Sequence, residues 1–335
     1  MLRLTVALVA LSAGTAMAGT LEEIKERGKL ICGVYPGLPG FAFLSEDGTW
    51  MGSEVAFCRA LAAAVLKDPT AVEFVPTPSK TRFTALASGE VDVLARNTTW
   101  TFSRDVDLKF EFAGVNYYDG QGFLVPKELG VASAKELDGA TVCIQTGTTT
   151  ELNLADFFRA NDISYEPVPV ETNAESQQQY LAAACDVYTT DKAGLAATRS
   201  AFADPQNHLI LPETISKEPL GPLVRHGDNQ WGDVVRWTLN ALIIAEELGI
   251  TQDDVTALAA SATNNPEINR MLGTEGTYGE MLGLDQDWAV AAISAGGNYG
   301  EIFARFLGED TLIGLDRGLN ALYRDGGILY APPFR

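Results

Sequence analysis

Short apolar runs of strand length alternate with helix-length segments over the first two-thirds of the chain, and the alternation runs twice. Lys29-Leu-Ile-Cys-Gly-Val34 reads as a strand, followed by a loop rich in Pro and Gly to Gly40, and residues 51–66 carry apolar side chains at helical spacing. Residues 72–75 then read as a strand, 81–88 as a helix and 91–95 as a strand. The second run begins with a strand at 122–125 and a short helix at 133–137. It continues with a strand at 141–145, a helix ending at Arg159, a strand at 165–168, a helix near 176–184 and a strand at 186–189. Such alternation with short loops argues for an α/β architecture with a mostly parallel sheet. Phe83-Thr-Ala-Leu-Ala-Ser-Gly-Glu-Val-Asp-Val93 and Tyr180-Leu-Ala-Ala-Ala-Cys-Asp-Val187 are alike: each reads as helix, tight turn and strand. Two similar lobes facing each other would account for that. From Asp228 the pattern changes to a long amphipathic helix containing residues 231–248, then to helical sequence punctuated by Gly. That part is expected to return over the first lobe, leaving two crossover segments as a hinge. The expected division is 19–116 and 228–335 for the first lobe, the latter with a C-terminal helical extension, and 117–227 for the second. Thr20-Leu-Glu-Glu23 reads as a capping box opening a short helix that Gly28 stops.

Residues 1–18 stand outside this pattern. Arg3, an apolar run over 4–11 and small residues ending Ala16-Met17-Ala18 make a secretory signal peptide cleaved after Ala18. The run is shorter than the roughly 20 apolar residues a membrane span needs. A free, soluble periplasmic protein is expected. Export gives the four cysteines a meaning, since an even count in an oxidising compartment suggests disulfides. Cys32, Cys58, Cys143 and Cys185 allow three pairings, and four buried thiols is the alternative. The economical pairing is Cys32–Cys58 with Cys143–Cys185, one staple per lobe. With 24 Lys+Arg against 44 Asp+Glu the formal net charge is -20, which leaves no footprint for nucleic acid or anionic lipid. Two histidines, His208 and His226, exclude a histidine-rich metal site and argue against Ser-His-Asp chemistry. No metal and no cofactor is expected.

Three polar loops follow predicted strands, where open α/β sheets bind ligands. The first runs from Arg96 to Asp105, the second is Gln145-Thr-Gly-Thr-Thr-Thr150, and the third is Thr189-Thr-Asp-Lys192. Amides at a helix N-terminus, as at Thr148 and Thr149, stabilise an anion. Arg104 can fork both oxygens of a carboxylate, and Asp191 can pair with an ammonium group. An anion site beside a cation site suits the α-carboxylate and α-amino group of an amino acid. Each element also has a plainer reading. Arg104 could pair with Asp105 or Asp107 on a solvated face, the Gly/Thr run could be a turn and cap, and Asp191 could cap the following helix.

At this point the residues resemble a known family, the periplasmic amino-acid-binding proteins of ATP-driven importers, with the type-II two-lobed periplasmic-binding-protein-like fold. The resemblance rests on Gly28-Lys-Leu30, Glu46-Asp-Gly48, Ala85-Leu-Ala-Ser-Gly-Glu-Val-Asp92 and Thr99 with Ser103-Arg104. It extends through Tyr117-Tyr-Asp-Gly-Gln-Gly122, Gly147-Thr-Thr149 and Asp186-Val-Tyr-Thr-Thr-Asp191. Asn97-Thr-Thr-Trp100, Thr148 to Asp156, Ile215-Ser-Lys-Glu-Pro-Leu-Gly221 and the end Tyr330-Ala-Pro-Pro-Phe-Arg335 look like the general L-amino-acid-binding branch, whose members share the C-terminal extension. The resemblance implies that Arg104 holds the ligand carboxylate with help from Thr99, Thr149 and Thr148. It implies that Asp191 and the carbonyl of Asn97 hold the ammonium, and that Gln145 faces the side chain. Many members sandwich the side chain with aromatics; the corresponding positions here are Leu38 and Ser79, which implies a roomier pocket and broad specificity. The implied partners are an L-amino acid and an ABC permease in the inner membrane, with the protein a monomer.

Two rival functions follow from the same fold. A dehydratase acting on amino-acid-like carboxylates would need a general acid in the cleft, for which Glu111, Glu151 and Asp119 are the candidates. A sensory module would carry a membrane anchor and a signalling domain, which this sequence does not offer.

Overall fold

The computed structural model describes residues 19–335, so the expected signal peptide lies outside the described residues. Two five-stranded sheets carry the fold. The first has the order Val72–Pro76, Leu30–Val34, Val93–Leu94, Leu223–Arg225, Phe110–Phe112. Leu30–Val34 is parallel to both of its neighbours, and Leu223–Arg225 is antiparallel to both of its own. The second sheet has the order Tyr165–Val170, Ala140–Gln145, Val187–Asp191, Gln121–Pro126, His208–Ile210. Ala140–Gln145 is parallel to both neighbours there, and Gln121–Pro126 antiparallel to both.

The two sheets therefore follow one plan. Three parallel strands have the earliest in the middle, and the fourth strand comes from chain that has just crossed from the other sheet. The crossings are themselves strands, Tyr117–Asp119 and Glu218–Leu220, paired antiparallel as a two-stranded ribbon. A Cβ on Gly221 would lie 1.9 Å from the carbonyl oxygen of Gly114, so the two crossing backbones approach as only glycine permits. This is the type-II two-lobed α/β fold. Leu223–Arg225 already belongs to the first sheet, upstream of the boundary the sequence placed at 227.

Several local expectations change in the structure. Thr20 is the first residue of the helix Thr20–Arg27 rather than its cap, and its amide donates to Asp228 Oδ2 at 2.7 Å. A carboxylate 208 residues away does the capping. Gly28 ends that helix in the left-handed conformation, as expected. The next helix runs Ser53–Leu66 and not from Met51, because Gly52 has φ 126° and a Cβ there would lie 2.1 Å from the Phe41 carbonyl. Trp50–Met51 pairs instead with Phe43–Leu44. The strand expected at 91–95 shortens to Val93–Leu94, and the helix at 133–137 is one 3-10 turn, Ala134–Glu136.

Cys32 bonds to Cys58 and Cys143 to Cys185, closing loops of 26 and 42 residues, as the economical pairing expects. Cys185 sits in the turn before Val187–Asp191 rather than on the strand. By loop-closure entropy each cross-link stabilises the fold by about 3–4 kcal/mol. Ser53–Leu66 is buried along most of its length, packed between the first sheet and Trp288–Gly296 from the C-terminal region. Phe334 closes that region, its ring 5.1 Å from Trp237 and 5.9 Å from Tyr278. Among the described residues no helix is long and apolar enough to cross a membrane.

Candidate ligand-binding cleft

The carboxyl ends of the parallel strands of both sheets converge on one cavity. Leu38, Ser79, Asn97, Thr99 and Arg104 line it from the first lobe, and Gln145, Thr148, Thr149 and Asp191 from the second. All nine residues singled out in the sequence as ligand contacts are thus brought together. Bonds join the two lobes: in the cavity Tyr35 Oη donates to Gln145 Oε1 at 3.1 Å, and outside its lining the exposed Lys80 Nζ pairs with Glu171 at 2.6 Å.

Arg104 stands on a π-helical turn, Ser103–Asp107, and is buried. Its Nη1 donates to the Thr99 carbonyl at 2.9 Å, and its guanidinium lies 5.3 Å from the Phe83 ring centroid. It pairs with neither Asp105 nor Asp107: Asp105 accepts from Trp100 Nε1 at 2.7 Å. Burial pulls its pKa down to about 10, with Glu218 opposing, so it stays cationic at neutral pH. One side of the fork is anchored and the other is free to take a carboxylate.

The second loop turns at Gly147, φ 74°, into the helix Thr150–Ala160. Thr148 Oγ1 donates to the Gln145 carbonyl at 2.7 Å, and Thr149 Oγ1 donates to Glu218 Oε2 at 2.9 Å. Their hydroxyl protons are committed, and what they offer an anion is backbone amide at a helix N-terminus. Thr99 is similar, its hydroxyl donating to Glu218 Oε2 at 2.5 Å.

Asp191 ends the strand Val187–Asp191 at the N-cap position of Lys192–Ser200, yet its side chain makes no capping bond. Asp119 does that work, accepting from the amide of Ala193 at 3.1 Å. Asp191 is buried, and burial raises its pKa well above the usual range; Asp119 and Glu218 push the same way and Arg104 and Arg82 oppose them. An ammonium beside it would favour the carboxylate. Asn97 holds a left-handed backbone, φ 30°, with its amide bonded to Glu54 and its buried Oδ1 unpartnered.

Sequence reasoning missed several members of the site. Tyr35, Arg82, Arg96 and Asn173 also line the cavity. Glu218, on the returning ribbon strand, is buried and accepts four side-chain hydrogen bonds, from Thr99, Thr149, Asn153 and Ser216. It thereby ties a first-lobe loop to a second-lobe helix at the hinge. Position Ser79, treated in the sequence as a missing aromatic, instead accepts from Arg96 Nη2 at 2.8 Å. The strongest available signal was charge: Arg96 opens the first polar loop, and Arg82 lies on the predicted helix before the strand that leads into it. The three carboxylates considered as general acids lie outside the lining. Glu111 pairs with Arg236 at 2.5 Å, Glu151 accepts from the Gly147 amide at 2.8 Å, and Asp119 caps a helix.

Two five-stranded α/β lobes meeting over a polar cavity make up the type-II two-lobed fold. Residues 30–255 match the family of bacterial extracellular solute-binding proteins, family 3, and the chain belongs to that family. It is 61% identical over 99% of its length to a glutamate/glutamine/aspartate/asparagine-binding protein, BztA, of Rhodobacter capsulatus, covering 98% of that protein. It is 54% identical over 98% of its length to a general L-amino acid-binding periplasmic protein, AapJ, of Rhizobium johnstonii, covering 96% of it. Among solved structures, a periplasmic binding protein from Brucella ovis with glutathione bound superposes with a TM-score of 0.92 at 52% identity, over 95% of this chain and all of that one.

Proposed function

We propose that the protein is the periplasmic solute-binding component of an ABC importer, capturing L-amino acids between its lobes and delivering them to a permease in the inner membrane. One observation carries this reading: a forked guanidinium, helix-terminal amides and an unpaired carboxylate, contributed by two different lobes, face one cavity. In this reading Arg104 and the amides of Thr148 and Thr149 hold the α-carboxylate, and Asp191 with the Asn97 carbonyl holds the ammonium. Leu38, Ser79 and Gln145 border the side chain. Ligand contacts to both lobes favour closure, and the affinity follows from how much better the closed state binds. Relatives that bind amino acids over nearly the whole chain support a binding protein rather than a dehydratase.

Export by cleavage after Ala18 and a monomeric state belong to the same proposal. So does a division into lobes at the ribbon, with the return crossing set at Glu218–Leu220 because Leu223–Arg225 pairs in the first sheet. The γ-glutamyl end of glutathione carries a free α-amino and α-carboxylate group, so the Brucella ovis complex makes glutathione a second ligand to test. Calorimetric titration of ligand-stripped protein with the common L-amino acids, their D-isomers and glutathione tests the reading. Binding of several L-amino acids and no D-isomer is expected; binding of none would overturn it.

A further inference from the structure

A groove of about 510 Å³ is walled by three parts of the molecule that move relative to one another when the lobes turn. The ribbon strand Tyr117–Asp119 borders it, the helix Lys192–Ser200 of the second lobe supplies one wall, and residues 313–320 of the C-terminal extension supply the other. The polar cavity borders the other ribbon strand: Thr99 bridges to Leu220, and the Trp100 amide donates to the Pro219 carbonyl at 2.8 Å. Asp191 faces the cavity, and the next residue, Lys192, the groove. The hinge thus stands between the two spaces, and a rotation about it that opens one narrows the other. Tyr35–Gln145 and Lys80–Glu171 hold the lobes together here, so the cleft is closed and the groove stands open.

Each wall is fixed to its own side. Asn320 grips Tyr118, Arg317 Nη1 pairs with Glu246 at 2.9 Å, and the Leu315 amide donates to the Leu307 carbonyl at 2.9 Å. On the second lobe Lys192 Nζ donates to the Pro212 carbonyl at 3.1 Å, and Asp119 caps the helix through the Ala193 amide. Of the charged groups lining the groove, two are left uncommitted. Arg199, on the second-lobe helix, and Asp316, on the extension, have no opposite charge within ion-pair distance among the described residues. They carry opposite signs and stand on opposite walls. Apolar groups line both walls as well: Ala196 and Ile210 on the second lobe, Leu315 and Leu319 on the extension, with Leu319 still 56% exposed.

We infer that Arg199 and Asp316 pair when the lobes part, forming a latch for the open form in which Leu315 and Leu319 close against Ala196 and Ile210. The latch stabilises the ligand-free open protein. It therefore weakens apparent affinity, which scales with the fraction of molecules in the binding-competent closed form. The C-terminal extension is the first-lobe half of this device and sets how readily the cleft closes. The inference rests on hinge closure over a ligand, as in the proposed function, and adds the contact that opposes it.

The test is charge reversal and rescue: L-glutamate titrations, and X-ray scattering of the ligand-free protein, on wild type, Arg199→Glu, Asp316→Lys and the double variant. Each single variant turns attraction into repulsion in the open form. It is expected to bind about three- to tenfold tighter, the scale of one exposed ion pair made repulsive, and to scatter as a more compact ligand-free particle. The double variant restores the pair with its signs exchanged and should return to within twofold of wild-type affinity and to the wild-type scattering profile. Single variants that bind no tighter than wild type and scatter as it does, or a double variant that stays as tight and compact as the singles, overturn the latch and leave the transport reading intact. Failure of wild type to bind L-glutamate or any other common L-amino acid would instead sink the amino-acid reading, and the scattering comparison would still decide the latch.

Discussion

The two lobes share a sheet plan but face the cavity with opposite chemistry. The first lobe presents three buried guanidiniums, each set against an aromatic ring: Arg96 on Tyr35, and Arg82 and Arg104 on Phe83. The second presents one carboxylate, Asp191, together with amides and neutral side chains. Similar topology thus leaves the charge of a binding face open, because topology places strand ends while the residues just beyond them carry the charge. Under the proposed function, an anionic group is expected to dock on the first lobe by Coulombic attraction, with the second lobe supplying directional hydrogen bonds and Asp191 meeting the ammonium on closure.

Removing the charge that the first lobe contributes to the α-carboxylate is the harshest way to break this contrast. Arg104→Ala is expected to weaken every α-amino acid by roughly thirtyfold to several thousandfold, corresponding to about 2–5 kcal/mol. Arg104→Lys is also expected to bind poorly, since a point charge does not reproduce the fork. Calorimetry giving wild-type affinity for the Ala variant would place the anion site elsewhere.

A hidden carboxyl on the first lobe sharpens the picture through pH. Burial raises Glu54 from an ordinary value of 4.5 to about 7, with the Asn97 amide and Arg96 opposing it. Between those values the folded protein holds a proton that the unfolded chain has released, so stability falls as pH rises through the window and levels off above it. The Glu54 share is up to about 3 kcal/mol, and Glu54→Gln should flatten the decline by that share. Asp119, raised by burial from 3.8 to about 7, contributes a similar fall that persists in the variant. Denaturant melts of the ligand-free protein at pH 5 and pH 8 decide it; identical slopes for wild type and variant would contradict the assignment.

The second lobe's single charge is tested by Asp191→Asn. Affinity for α-amino acids is expected to drop about tenfold to a hundredfold, the range for losing a charge-assisted hydrogen bond. The ligand-free melting temperature should hold or rise, because Asp191 is a buried carboxyl kept uncomfortable by Asp119 and Glu218. Ligands lacking the α-amino group binding wild type as tightly as their amino-acid counterparts would remove Asp191 from the ammonium site.

The smallest effect is expected at the hinge that joins the lobes. Asn320, from the C-terminal extension, accepts from the Tyr118 amide at 2.7 Å and donates to its carbonyl at 3.1 Å, gripping the outgoing ribbon strand. Asn320→Ala should cost about 1–2 kcal/mol of stability and shift affinity by less than tenfold. Scattering profiles of the ligand-free variant measure whether the extension limits lobe opening; no change in either readout would make the contact incidental.

Much of the fold, and which strand-end loops meet at the cavity, were legible in the sequence. Alternating strands and helices follow from local periodicity, and polar loops at strand ends follow from turn chemistry, so Arg104, the Thr148–Thr149 turn and Asp191 could be picked out by position. The short strands Phe110–Phe112, Leu223–Arg225 and His208–Ile210 were not legible, because three residues carry no measurable period. What the tertiary structure alone decided are effects of burial and long-range contact. Asp228 caps a helix 208 residues away, Glu218 ties two lobes together at the hinge, and Arg82 and Arg96 become buried cavity cations with no carboxylate at ion-pair distance among the described residues. In the sequence these residues look like ordinary surface charge. Only packing removes the water that would have made their charge unremarkable.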